Sequence, residues 1–93
     1  MAIEVRIPSL LQRVVGGQKT VQAEGTNVRQ VFDSIENKHP GFRDRVLDED
    51  GKLRHFVSVF VNEEDVRFLQ ELDTPVAEGA HLTILPAVAG GEA

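Results

Sequence analysis

A single α+β domain, with one sheet and one main helix packed on one of its faces, is the fold class this chain predicts. Three observations predict it. Residues 3–7 (Ile-Glu-Val-Arg-Ile) and 81–85 (His-Leu-Thr-Ile-Leu) alternate with a period of two, as strands with one buried face do. Residues 56–61 place three valines on one face and Phe56, Ser58 and Phe60 on the other, the strongest strand pattern in the chain. Between these stretches Val28, Val31, Phe32 and Ile35 are spaced i, i+3, i+4 and i+7, one apolar stripe along a helix. A chain of 93 residues with 41% hydrophobic content suits one core and rarely supports two.

Taken in order, the first strand ends at Pro8, and residues 9–15 carry no clear period. Gly16-Gly17 then supplies a turn, and residues 18–23 form a second strand that pairs back on the first as an N-terminal hairpin. A phosphate cradle at Gly16, Gly17 and Lys19 is excluded, because a P-loop needs the full glycine–lysine–hydroxyl spacing between strand and helix. Thr26 is the expected N-cap of the helix, and His39-Pro40-Gly41 halts it. Residues 42–47 add a further helical turn. Asp48-Glu49-Asp50-Gly51 lacks the alternating oxygen ligands and distal glutamate of a calcium loop and reads as a solvated turn. After residues 56–61, Asn62-Glu63-Glu64-Asp65 turns the chain, Val66-Arg67-Phe68 is extended, and Thr74-Pro75 marks an irregular link. Glu78-Gly79 turns into the last strand, which Pro86 ends, with Leu82 and Ile84 inward and Thr83 and Leu85 outward. If the first and last strands pair at the centre of the sheet, the right-handed crossover rule yields a β-grasp, or ubiquitin-like, topology of four to five strands. A ferredoxin-like split arrangement would want a second comparable helix, and residues 66–76 are too short and too broken for one.

Composition narrows the chemistry. With no cysteine, the chain has no disulfide, thiolate metal site or cysteine nucleophile, which is compatible with a reducing cytoplasm. Ten basic against fifteen acidic residues give a net charge of −5, which repels phosphate backbones, so nucleic acid is not an expected partner. No apolar run approaches the ~20 residues of a membrane span. His39, His55 and His81 are scattered without ligand spacing, and no resident metal is expected. The expectation is a cytoplasmic protein that is a monomer on its own.

The stretch that suggests chemistry is the last one, Leu85-Pro86-Ala87-Val88-Ala89-Gly90-Gly91-Glu92-Ala93. Val88 is the only bulky side chain after Pro86, and two successive glycines allow a slim backbone that fits a narrow cleft. Small-residue termini are also common without function. The expected division is a β-grasp domain over residues 1–86 and a flexible tail over residues 87–93. Phe56 and Phe60, if the valines face inward, form an aromatic patch of the kind that marks a partner surface, unless a loop or the tail covers them.

Gly16-Gly17-Gln18-Lys19, Val61-Asn62-Glu63-Glu64-Asp65-Val66-Arg67-Phe68 and Leu85-Pro86-Ala87-Val88-Ala89-Gly90-Gly91 resemble the MoaD/ThiS family of ubiquitin-like sulfur carriers, most closely the CysO-type carriers of cysteine biosynthesis. The resemblance implies a protein co-substrate rather than an enzyme. It implies that the carboxylate of the terminal glycine, here Gly91 following Gly90, is adenylated by an E1-like activating enzyme of the MoeB/ThiF type using ATP and magnesium, then converted to a thiocarboxylate that donates sulfur. It also implies docking through an apolar sheet face beside the tail, which assigns Phe56, Phe60, Leu85, Pro86, Ala87, Val88 and Ala89 to partner binding. A cysteine-synthase-like enzyme would be the sulfur acceptor. The chain departs from the family's active form because Glu92-Ala93 follows Gly91 and holds its carboxylate in a peptide bond. Cleavage of the Gly91–Glu92 bond by a JAMM-type zinc metalloprotease is therefore expected. Three other readings share the sequence features: a ubiquitin-like protein modifier, the small subunit of molybdopterin synthase, and a β-grasp interaction module with an inert tail.

Overall fold

The computed structural model describes residues 2–86. Its strands are β1 (Ile3–Arg6), β2 (Thr20–Ala23), β3 (Val57–Val61), β4 (Glu64–Asp65) and β5 (His81–Pro86). Its helices are α1 (Ser9–Gln12), α2 (Val28–Lys38) and α3 (Phe42–Val46). The strands make one five-stranded sheet in the order β2-β1-β5-β3-β4, the β-grasp arrangement expected from the sequence. The first and last strands lie side by side and parallel, with Glu4, Val5 and Arg6 opposite His81, Leu82 and Thr83. β2 runs antiparallel to β1, and β3 runs antiparallel to β5.

The period-two patterns become the two faces of this sheet. Ile3, Val5, Val21, Ala23, Val57, Val59, Val61, Leu82 and Ile84 are all buried, and the residues between them are not. The valines of β3 thus face inward, as their β-branched shape on a pleated surface favours. The helical stripe meets them: Val28, Val31, Phe32 and Ile35 of α2 are each at most 1% exposed. Phe42 of α3 packs edge-on against Phe32 with ring centroids 5.5 Å apart, a preferred aromatic geometry. Burying a side chain of this size contributes roughly 2 kcal/mol, which makes the two rings the anchors of the helical layer.

Several local expectations are corrected. Residues 9–15, which carry no clear period, are helical: α1 leads into a 3-10 turn, Arg13–Val15, closed by Gly16 at φ 72°. Leu11 and Val15 pin this segment to the core, four residues apart on one side. The helix cap is Asn27, not Thr26: the Asn27 side-chain oxygen accepts from the backbone N–H of Gln30 at 2.8 Å. Thr26 donates its own N–H and hydroxyl to the Gln30 side chain, so the two residues divide a capping box. Val66–Phe68 is a 3-10 turn rather than extended, because Asp65 caps it by accepting from the Arg67 N–H. The acidic turn holds a strand: Asn62 and Glu63 take positive φ, and β4 folds back on β3 with Glu64 opposite Val61. β5 runs to Pro86, the residue expected to end it, which lies opposite Val57.

Candidate functional site

The topology decides where the tail leaves the body. β5 lies between β1 and β3: residues 81–83 pair with β1, while its final residues, Ile84, Leu85 and Pro86, pair with β3. The antiparallel register sets Leu85 opposite Ser58 and Pro86 opposite Val57, next to Phe56 at the start of β3. The parallel register with β1 sends Ile7 and Pro8 out of the sheet in the same direction as Leu85 and Pro86. As a result, segments far apart in sequence meet at the root of the tail.

Two surfaces adjoin that root, and Leu85, 45% exposed, lines both. On the outer sheet face, Leu85 joins Thr83, Phe60 and Glu63 around a shallow depression of about 280 Å³. Phe60 is half-buried there, and among the described residues the only charge in the lining is the acidic Glu63. At the end of the sheet, Leu85 and Pro86 meet Pro8, Leu11, Val57 and Phe56 around a tight apolar cleft of about 20 Å³. Phe56 is 46% exposed. The three residues expected to form one patch are therefore divided: Phe60 belongs to the sheet face, Phe56 to the sheet end, and Leu85 joins them.

Beyond the cleft lies a second, open groove of about 280 Å³ between α1, α3 and Phe56, lined by Leu10, Leu11, Asp44, Arg45, Arg54 and Phe56. Leu10 is two-thirds exposed although its neighbour Leu11 is buried. The Arg54 guanidinium is held by two hydrogen bonds from Nε and Nη2 to the carbonyl of Asp44, at 3.2 and 3.1 Å, and its centre lies 6.0 Å from the Phe56 ring centroid. Neither the sequence periodicity nor any motif marks Leu10, Arg45 or Arg54. Leu10 sits in the stretch without a readable period, and the two arginines reach the groove only through the packing of α3 against the start of β3. A further exposed pair, Phe68 and Leu69, lies at the end of the 3-10 turn after β4; Phe68 closes the segment that carries the resemblance, and Leu69 was unmarked.

The remaining residues singled out in the tail, Ala87, Val88, Ala89, Gly90 and Gly91, and the Gly91–Glu92 bond, lie outside the described residues. Among the described residues, no three His, Cys, Asp or Glu side chains are grouped to hold a metal ion, and no helix is long and apolar enough to cross a membrane. What the described residues supply is a strand paired with β1 and β3 and an apolar surface around Leu85 and Pro86.

Known proteins fit this geometry. The chain is 45% identical over 93 residues to the sulfur carrier protein CysO of Mycobacterium tuberculosis, covering 98% of this chain and all of that one. A chain of the crystallised BexX/CysO complex of Amycolatopsis orientalis superposes with a TM-score of 0.90 at 47% identity, covering 97% of this chain and all of that chain. The small archaeal modifier protein 3 of Haloferax volcanii is 31% identical, over 98% of this chain and its own full length. The ThiS family model matches residues 5–91, from β1 to the second glycine of the tail. The fold, the near-complete coverage and the reach of that match lead to one conclusion: the chain belongs to the ThiS family of ubiquitin-like sulfur carriers.

Proposed function

We propose that the chain carries sulfur as a thiocarboxylate on Gly91, exposed by removal of Glu92 and Ala93, and delivers it in cysteine biosynthesis. The observation that carries the reading is that the family match runs through the tail and ends on Gly91, one residue before Glu92. The residue types fit the chemistry. A glycyl carboxylate has no side chain to hinder attack at its carbonyl. In an activating enzyme of the MoeB/ThiF type, a Gly91 carboxylate oxygen attacks the α-phosphorus of ATP and expels pyrophosphate, with magnesium balancing the phosphate charge. A sulfur donor then attacks the acyl carbon and expels AMP, leaving sulfur in place of one oxygen. The product is a nucleophilic sulfur in a chain that has no cysteine. A cysteine-synthase-like enzyme is the acceptor, and a JAMM-type zinc metalloprotease makes the Gly91–Glu92 cut. The body presents the tail and offers Leu85, Phe60 and Thr83 as a docking face, in keeping with the crystallisation of the related CysO together with BexX.

Intact mass spectrometry tests this. A chain ending at Gly91, incubated with a MoeB/ThiF-type enzyme, ATP, magnesium and a sulfur donor, should gain the mass of sulfur in place of oxygen. The chain that retains Glu92-Ala93 should not. Sulfur loading of the uncut chain, or none on the cut one, would overturn the proposal. The likeness to a small archaeal modifier favours one second reading, in which activated Gly91 is joined to a lysine of another protein. That outcome would appear in the same experiment as a conjugate at higher mass, once a target protein is added.

A further inference from the structure

The groove between α1, α3 and Phe56 stands apart from the sheet face, and its chemistry differs. The chain as a whole carries a net charge of −5, yet here two guanidiniums, Arg45 and Arg54, face one carboxylate, Asp44. The three ion pairs among the described residues are Arg6–Glu4, Arg29–Asp73 and Arg43–Asp33, so neither groove arginine is paired with an acid there. Arg54 is fixed in place all the same. Its side chain is forked onto the Asp44 carbonyl, and its own carbonyl accepts from Arg67 Nη2 at 3.0 Å. A guanidinium pre-organised by neutral partners keeps its charge for an incoming group and loses little side-chain entropy on binding. Leu10, 66% exposed, and Phe56 supply an apolar floor beside it. The cleft containing Pro86 shares Leu10, Leu11, Arg45 and Phe56 with the groove, so the two are continuous, and any protein that grips the tail comes within reach.

We infer that this groove is a second docking site, whose occupant is a segment of the activating enzyme that presents a large apolar side chain next to one or two carboxylates. The apolar side chain covers Leu10 and Phe56, and the carboxylates meet Arg45 and Arg54. Charge complementarity selects this occupant, because an acidic segment is attracted here and repelled by the acidic rim at Glu63 on the sheet face. The inference rests on the activation step proposed above. It adds a contact on the far side of the tail root, so that the enzyme straddles Pro86.

The test uses the chain ending at Gly91 and a MoeB/ThiF-type activating enzyme, with ATP–pyrophosphate exchange as readout. Arg45→Glu combined with Arg54→Glu should raise the carrier's KM about tenfold, leave kcat unchanged and flatten the dependence of KM on salt. Because Arg54 also holds Asp44, Arg45→Glu alone serves as a variant whose side chain makes no hydrogen bond among the described residues, and it should raise KM severalfold with an unaltered melting temperature. An enzyme-induced shift in the NMR resonances of Leu10, Leu11 and Phe56 is expected alongside. Exchange by the unsubstituted chain together with an unchanged KM in both variants overturns the inference and leaves the function intact. No exchange at all overturns the function instead. If the groove resonances shift with carrier concentration, the occupant is a second copy. If they shift on deleting residues 87–93, it is the chain's own tail. Either result overturns the assignment to the enzyme.

Discussion

Glu36 shows how one side chain can fasten an element. Its carboxylate accepts the backbone N–H of Arg43 at 2.8 Å and that of Gly41 at 3.1 Å, spanning the break between α2 and α3. These two backbone donors, Arg43 first, hold the carboxyl below the usual glutamate range, and the nearby Arg43 charge acts in the same direction. A lowered folded-state pKa means that the contribution is complete above the unfolded value and is lost as pH falls through the folded one. Thermal melts between neutral pH and about pH 3 should therefore show Glu36→Gln less stable than the parent at neutral pH, with the two curves converging in acid. Parallel curves would mean that Glu36 does not titrate with folding. Asp48 is depressed for a similar reason, accepting backbone N–H groups from Lys52 and Asp50, and so contributes to the acid limb that remains in the variant.

At the level of elements, α2 owes its start to polar residues and its place to apolar ones. Asn27 satisfies the Gln30 N–H, which would otherwise lack an intrahelical partner, and Gln30 reaches back to Thr26. Asn27→Ala should cost about 1 kcal/mol in urea titrations, whereas Asn27→Asp should cost little, since it keeps the acceptor. An equal loss in both variants would place the effect elsewhere, such as in the isolated bridge between Asn27 and Pro75. The stripe of α2 and the faces of β1, β3 and β5 were legible in the sequence because each buries one face only, and burial imposes its period on the residues. α1 was not legible, because it is only four residues long and buries only Leu11. β4 was not, because two residues are too few to show alternation. The cap was misplaced by one residue because Thr26 and Asn27 are both good acceptors, and only the backbone decides between them.

Across the whole molecule, the sequence drew the proposed function to the end of the chain and left the proposed groove at its base unmarked. Gly90 and Gly91 suggested their proposed role by composition and position. Arg45, Arg54 and Leu10 come together only when α1, α3 and the start of β3 converge near Pro86, a proximity that no local pattern encodes. The buried core of the described residues runs from Ile3 to Ile84, and its central contact joins β1 to β5 across most of the chain. Pairing of such distant segments closes the sheet cooperatively, so stability should depend on β5 being present up to Pro86, opposite Val57. A chain ending at Pro86 should thus unfold within about 0.5 kcal/mol of the full-length protein in urea, yet accept no sulfur, since Gly91 is gone. A chain ending at Thr83 removes Ile84, 1% exposed, along with the residues that pair with Val57, Ser58 and Val59, and should lose several kcal/mol, about the cost of deleting a large core side chain. If the Pro86-ended chain instead unfolded as readily as the Thr83-ended one, the tail would be part of the fold, and its separation into a presented end on an independent body would be wrong.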